Sequence, residues 1–213
     1  MNSKIKVILV DDHAIVRAGF RLLLATSETI EMVAEADRGE QAIQLVENNV
    51  VDILVMDISM PGIGGLETIR RISERNKQVK ILVFSVHDQQ VYVGRALAAG
   101  AKGYITKNSA PEILIEAVHQ LANGSSYVEK GLLKDSGQQS EADYQAIINQ
   151  FSAREFDIYS LLAKGLNAYK IADELCLGYK TVANYSTQIK KKLQVATIAE
   201  LAQISLTLNN FKK

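Results

Sequence analysis

The chain has 213 residues, 47% of them hydrophobic, and a formal net charge of zero at pH 7, so it can bury a sizeable core in one large or two small domains. We expect a cytoplasmic protein, because no apolar run approaches the roughly 18 residues that span a bilayer and the N-terminus lacks the pattern of a secretory signal. The single cysteine, Cys176, excludes an intrachain disulfide and a multi-cysteine metal site, and its position between two leucines predicts a buried small side chain.

The first 123 residues alternate short β-branched runs with longer segments of helical periodicity, which predicts strand and helix units around a parallel sheet. The five predicted strands cover residues 5–10, 32–36, 53–56, 81–84 and 103–105. The five predicted helices begin near Ala14, Gly39, Gly65, Gln89 and Pro111. Ser109 or Asn108 is the expected cap of the last helix. We expect an α/β fold with a five-stranded, doubly wound sheet in the flavodoxin-like order 2-1-3-4-5.

Residues 124–148 form the predicted linker, since their periodicity weakens and the stretch KDSGQQSEAD is polar and without strand-forming residues. Four short amphipathic segments follow, beginning near Ser152, Ala168, Tyr179 and Thr197, with no strand pattern between them. A tight turn is expected around residues 177–179. We therefore predict an α/β first domain at 1–123 and an all-α, four-helix domain at 149–213 that contains a helix-turn-helix.

Acidic side chains follow two strands that are neighbours in the predicted sheet. Asp11 and Asp12 come directly after the first strand, and Asp57 comes directly after the third. In the order 2-1-3-4-5 these carboxylates converge on one crevice at the switch point. Like charges so close need a cation, and a cluster of carboxylate oxygens suits Mg²⁺.

Two further polar groups belong to the same edge of the sheet: Ser85 ends the fourth strand and Lys107 ends the fifth. A hydroxyl and an ammonium can hold phosphoryl oxygens, and a carboxylate between them and a metal can become an aspartyl-phosphate. A single Asp at a strand end is often only a helix cap. Groups at the ends of four strands favour phosphoryl chemistry instead.

The third helix of the second domain has one apolar and one polar face. The apolar stripe consists of Val182, Tyr185, Ile189 and Leu193. The opposite face carries amides, hydroxyls and cations, and no Asp or Glu occurs from Lys180 to Gln194. Residues 149–213 hold 9 lysines and arginines against 5 acids, so the basic surplus is confined to this domain. Such a face suits the DNA major groove.

The motifs VILVDDH, VMDISMPGIGG, FSVHD and GYITK resemble the CheY-like receiver domain of two-component response regulators, over residues 4 to about 123. The stretch FSAREFDIYSLLAKGLNAYKIADELCLGYKTVANYSTQIKKKL is similar to the LuxR-type helix-turn-helix. Together they resemble the NarL/FixJ class, and MDISMPGIGGLE with VHD resembles its GacA/UvrY-type members.

The resemblance implies roles for residues of the receiver. Asp57 would be the phosphoacceptor, and Mg²⁺ would be held by Asp11, Asp12, Asp57 and the backbone carbonyl of Ser59. Ser85 and Lys107 would sense the phosphate, and Tyr104 would be the switch aromatic. One departure from many receivers is Asn108, which stands where proline often follows the lysine.

The resemblance also implies the contacts of the second domain. DNA would be bound by Lys180, Thr181, Ala183, Asn184, Thr187, Gln188, Lys190 and Lys191. Dimerisation would involve Ile198, Leu201, Ala202 and Ser205. The implied partners are a sensor histidine kinase, promoter DNA and a second copy of the chain, with RNA polymerase as a further candidate.

Two other functions compete with a transcriptional regulator that is not a turnover enzyme. A phosphatase could work through an aspartyl-phosphate, but such enzymes pair acids as DxD, whereas here Asp57 is followed by Ile58 and Ser59. The helical domain could instead bind protein or RNA, against which its acid-free face argues.

Overall fold

The computed structural model describes residues 4–132 and 139–209, with the backbone alone for 139–143 and 209. The chain divides into two compact units, residues 1–133 and 134–213, and each is described by itself. Residues 1–3, 133–138 and 210–213, among them part of the predicted linker, lie outside the described residues. In the described ranges no helix has both the length and the apolar character needed to cross a membrane.

The first unit is built on a parallel sheet. Its strands in the described residues are β1 Ile5–Val10, β2 Ile30–Ala36, β3 Ile53–Met56, β4 Lys80–Ser85, β5 Gly103–Thr106 and β6 Tyr127–Val128. Their order, β2-β1-β3-β4-β5-β6, confirms the predicted order and adds a sixth strand beside β5. This strand lies in the predicted linker, and two residues are too few to show a period in the sequence.

The helices of the first unit are α1 Ala14–Ala25, α2 Gly39–Asn48, α3 Gly65–Arg75, α4 Gln90–Ala98 and α5 Pro111–Ala122. Each begins at or next to the predicted residue. The expected cap of α5 was wrong, because Ala110 precedes the helix without a side-chain bond and the Ser109 hydroxyl binds Glu129. Phe20 of α1 and Leu114 of α5 share one core cluster with strand side chains such as Leu9, so α1 and α5 cover one face.

The second unit is helical throughout its described part, as predicted. Its helices are α6 Gln139–Asn149, α7 Ala153–Ala163, α8 Ala168–Glu174, α9 Tyr179–Lys192 and α10 Ile198–Asn209. The last four are the predicted helices, whereas α6 occupies part of the predicted linker. Helix α9 packs on α7 and α8 through Val182, Ile189 and Leu193, each at most 1% exposed.

Cys176 corrects another expectation, since its side chain is exposed. It follows the end of α8 with φ at 52°, in the left-handed conformation that often ends a helix. Leu175 beside it is buried. The helical period stops at Leu175, so apolar neighbours in the sequence do not place Cys176 in the core.

Candidate functional site

The carboxyl ends of β1 and β3 bring three predicted acids together. Asp11 is 1% exposed and Asp57 is 2% exposed, because each directly follows a buried strand in the middle of the sheet. The potential ligand atoms of Asp11, Asp12, His13 and Asp57 all lie within 4.8 Å of one another. The crevice expected from the strand order is therefore present.

Lys107 reaches into this acidic cluster from the end of β5. Its Nζ lies 2.7 Å from Oδ2 of Asp57 and 2.5 Å from Oδ2 of Asp11. Burial lowers the pKa of Lys107, but the two carboxylates more than offset this, so the pKa is raised and the ammonium stays charged. The lysine thus neutralises part of the buried negative charge.

Asp12 lies at the more open side of the cluster, with 28% of its side chain exposed. Burial raises its pKa above the ordinary value against the opposing charge of His13, and the charges of Asp11 and Asp57 raise it further. Carboxylate oxygens gathered so closely are the donor set that Mg²⁺ prefers. The residues present therefore fit a divalent cation.

The loop after Asp57 is held in a narrow space. Ser59 donates its backbone N–H to Oδ1 of Asp57 at 3.0 Å. A Cβ on Gly65, the first residue of α3, would stand 2.3 Å from Cα of Ile58 and 2.7 Å from the carbonyl oxygen of Asp57. Only glycine lets α3 approach the phosphoacceptor candidate so closely.

Ser85 and Tyr104 belong to a second, buried group of polar contacts, and both are 0% exposed. Tyr104 donates its hydroxyl to the carbonyl of His87 at 2.8 Å, and burial raises its pKa. The backbone N–H of His87 donates to Oγ of Ser85 at 3.3 Å. The predicted switch aromatic thus points inward in this structure.

His87 is a residue whose place the sequence did not reveal. Its Nε2 lies 2.9 Å from Oγ of Ser59, and its ring stacks on Tyr92 with centroids 4.0 Å apart. It therefore joins the loop after β3 to the loop after β4. The sequence gives no sign of this role, because a contact between two loops leaves no period.

The outer face of α9 presents the predicted DNA-binding side chains. Exposed members are Lys180, Thr181, Asn184, Thr187, Gln188 and Lys191, while Ala183 and Lys190 are half-buried. The side chains lie opposite the buried stripe, as the helical period predicts. The structure thus brings the predicted residues to one accessible surface.

Lys192 differs from the two lysines before it. Its Nζ donates to Oε1 of Glu155 at 2.6 Å and lies 5.5 Å from the ring centroid of Phe151. Glu155 also forms a capping box with Ser152 at the start of α7. The end of α9 is thereby tied to the start of α7, a role that the run of three lysines did not indicate.

An exposed aromatic pair stands where α9 begins. Tyr169 of α8 and Tyr179 of α9 stack with ring centroids 4.3 Å apart, and 68% and 46% of these residues are exposed. The helical period of the sequence does not indicate this contact. Their separation of ten residues reflects the turn between the two helices.

The predicted dimerisation residues divide into two groups. Ile198 is 40% exposed, and Ala202 and Ser205 are half-buried. Leu201 is 0% exposed, so it packs inside its own unit and corrects the expectation that it faces a second copy. The reason is that α10 packs on α7 and α6, and periodicity alone does not tell which side of a helix has a neighbour.

Comparison with known families gives two matches. Residues 7–119 match the family described as response regulator receiver domain. Residues 149–205 match the family described as bacterial regulatory proteins, luxR family. The first match runs from within β1 into α5 and includes the acidic cluster, and the second covers α7, α8, α9 and most of α10.

Curated relatives align over nearly the whole chain. Transcriptional activator protein ExaE of Pseudomonas putida is 37% identical, over 94% of this chain and 95% of its own. Response regulator UvrY of Escherichia coli (strain K12) is 34% identical, over 95% and 94%.

Solved structures are also similar. A LuxR-family two-component response regulator from Aurantimonas sp. SI85-9A1 is 36% identical with a TM-score of 0.59, over 61% of this chain and 93% of its own. RcsB of Salmonella typhimurium, at 23% identity and a TM-score of 0.72 over 97% and 99%, is similar in fold alone.

Proposed function

Because this chain belongs to the response regulators that join a receiver domain to a LuxR-family DNA-binding domain, we propose that Asp57 accepts a phosphoryl group and thereby controls promoter binding through α9. The chain is a DNA-binding regulator of transcription in a two-component system. The observation that carries the proposal is the convergence of Asp57 with Asp11, Asp12 and Lys107 in one buried cluster.

The phosphoryl group is transferred to Asp57 from a phosphohistidine of the sensor kinase. An oxygen of Asp57 forms the new bond to phosphorus while the bond from phosphorus to the histidine nitrogen breaks. Asp11, Asp12, Asp57 and the backbone carbonyl of Ser59 would hold Mg²⁺, which would neutralise charge that develops on the phosphoryl oxygens. The chain supplies the acceptor and the positioning groups, and it is not a turnover enzyme.

Lys107 stabilises negative charge at Asp57 before and after this transfer. It pairs with Oδ2 of Asp57 in the present structure, and a phosphoryl group on Asp57 offers it new anionic oxygens within reach. The Ser85 hydroxyl donates to another phosphoryl oxygen. Since these contacts exist only in the phosphorylated state, they bias the receiver toward it, with Tyr104 as the buried side chain that responds.

The test is covalent labelling of the full chain with a small phosphodonor and Mg²⁺. We expect one base-labile phosphoryl group per chain in the wild type and none in Asp57→Asn, which lacks the nucleophile. Asp52→Asn is the matched control, since Asp52 precedes β3 while Asp57 follows it. Equal labelling of Asp57→Asn would contradict the proposal.

The output is binding of duplex DNA by the exposed face of α9, with Asn184 and Thr187 toward base edges and Lys191 toward phosphates. Exposed Ile198 with Ala202 and Ser205 provides the surface for a second copy. RNA polymerase is the proposed further partner at the promoter. A footprint on genomic promoter fragments, made with phosphorylated wild type and with Asp57→Asn, tests this output, and binding of RNA or protein without any footprint would contradict it.

A further inference from the structure

A carboxylate beyond the acidic cluster holds the loop that presents Lys107. Glu129 directly follows β6, and its Oε2 accepts the backbone N–H of Thr106 at 2.8 Å and the hydroxyl of Ser109 at 2.6 Å. The Ser109 hydroxyl in turn lies 2.9 Å from Oγ1 of Thr106. One oxygen therefore binds both sides of the turn that contains Lys107.

The position of Glu129 follows from the pairing of β6 with β5. Glu129 donates its backbone N–H to the carbonyl of Tyr104 at 3.0 Å, which is the last backbone bond between the two strands. One step further along, the N–H of Thr106 has no strand opposite it, and the side chain of Glu129 takes the place of the missing carbonyl. The carboxylate thus continues the ladder up to the residue before Lys107.

The backbone of Lys107 attaches the loop to β4 on the side opposite Glu129. Its N–H donates to the carbonyl of Ser85 at 2.8 Å, while its Nζ pairs with Asp57 and Asp11. The loop is therefore fixed between β4 and the Glu129 carboxylate. A loop fixed at both ends presents Nζ at one place, which matters because small displacements at a reacting centre change rates strongly.

We propose that Glu129 is a positioning residue for phosphoryl transfer to Asp57, acting through the loop that carries Lys107. The inference rests on the proposed phosphorylation of Asp57. The inference also gives a role to β6. This strand follows α5, and it brings Glu129 to the carboxyl ends of the strands, where the acids lie. Movement of β6 and placement of Lys107 are then coupled in both directions.

The test compares phosphorylation rates of the full chain with phosphoramidate and Mg²⁺. Glu129→Ala removes both hydrogen bonds, and we expect labelling to slow about fivefold or more because Lys107 loses its fixed position. Glu129→Gln keeps an oxygen that accepts both bonds, so its rate should stay within about twofold of the wild type. Glu28→Ala, at an exposed glutamate before β2, is the control and should not change the rate.

Two comparisons separate positioning from a general loss of structure. In a Lys107→Ala background Glu129→Ala should cause no further slowing, whereas a merely structural role would slow both backgrounds alike. If Glu129→Ala does not fold, as judged by thermal unfolding, Glu129→Asp replaces it, since its shorter side chain cannot make both bonds and should be slower than Glu129→Gln.

The outcomes distinguish this inference from the function on which it rests. A wild-type chain that is never labelled would contradict the phosphorylation of Asp57 itself. Normal labelling of the wild type would contradict only the role of Glu129 if Glu129→Ala keeps the wild-type rate, if Glu129→Gln is as slow as Glu129→Ala, or if the slowing persists without Lys107.

Discussion

The side chains of the acidic cluster lower the stability of the fold, because like charges are buried close together. Asp11 and Asp57 are almost fully buried and share one ammonium, that of Lys107. Asp12 adds a third carboxylate within the same 4.8 Å group. Such an arrangement is unfavourable for folding without a further cation, and its carboxylate oxygens are the ligands that would hold one.

We predict that Asp12→Asn stabilises the metal-free protein and weakens its response to Mg²⁺. Burial and the charges of Asp11 and Asp57 raise the pKa of Asp12, so removal of its charge should increase the free energy of unfolding by about 0.5–1 kcal/mol, a modest gain because the group is partly screened by solvent. Thermal unfolding with EDTA and with Mg²⁺ measures both effects. Asp173→Asn on α8 is the control, and a lower melting temperature of Asp12→Asn in EDTA would contradict the prediction.

Two glycines in helices have different effects on the stability of the first unit. Helix α3 begins against the backbone of Asp57 and Ile58 at Gly65, whereas Gly19 lies within α1 with no atom near its absent Cβ. The same residue type therefore serves two purposes. At Gly65 the missing side chain is required, and at Gly19 it only weakens a helix.

We predict opposite effects for the two Gly→Ala substitutions. Gly65→Ala should lower the free energy of unfolding by about 1–3 kcal/mol, because the new Cβ forces backbone apart in a packed region. Gly19→Ala should raise it by about 0.5–1 kcal/mol by restricting the unfolded chain. Urea denaturation followed by circular dichroism measures both, and Gly65→Ala should also slow labelling of Asp57. A neutral Gly65→Ala would show that α3 can shift away.

The ion pair of Glu155 and Lys192, which links α7 to α9, should stabilise the fold in a pH-dependent way. Burial raises the pKa of Glu155, but its bond from Lys192 and those from Ser152 lower it more, so the pKa lies below the ordinary 4.5. Glu155→Gln should therefore destabilise the full chain by about 1–2 kcal/mol at neutral pH. A carboxylate with a depressed pKa stabilises the fold above pH 4.5, and this contribution disappears as the pH falls through the lowered value.

Urea denaturation of Glu155→Gln at pH 7 and near pH 4 tests this sign. The difference from the wild type should shrink at the lower pH. Glu174→Gln, at an exposed glutamate that ends α8, is the matched control. A destabilisation that grows on acidification would contradict the assignment.

Across the whole molecule, a net charge of zero conceals two units with different chemistry. The sheet gathers acids at one edge, and residues 149–213 carry the basic surplus. The helical unit presents its cations on α9 but engages Lys192 internally. Electrostatic attraction to DNA should therefore come from particular lysines rather than from all of them.

We predict that Lys191→Ala lowers the slope of log affinity against log salt by about one unit in binding of duplex DNA by the phosphorylated full chain. Lys192→Ala is the matched control next to it, and it should lower stability while leaving the slope nearly unchanged, because its ammonium pairs with Glu155. Titrations by fluorescence anisotropy at several salt concentrations measure the slopes. Equal changes in both variants would contradict a phosphate contact specific to Lys191.

Local patterns in the chain were enough to predict the alternating units, the sheet order and the meeting of Asp11, Asp57 and Lys107. They succeed because parallel strands end at one edge, so residues that follow the strands must come together there. The buried stripe of α9 could be predicted for a similar reason, since 3.6 residues per turn place its members on one side.

Other features depended on contacts between residues far apart in the chain. Glu129 binds Thr106 from 23 positions away, and Glu155 binds Lys192 from 37 away, so no local period signals either pair. Leu201 faces inward only because α7 and α6 lie beside α10. A side chain's type and spacing indicate which face of its element it joins, but which neighbour covers that face is decided when the elements pack.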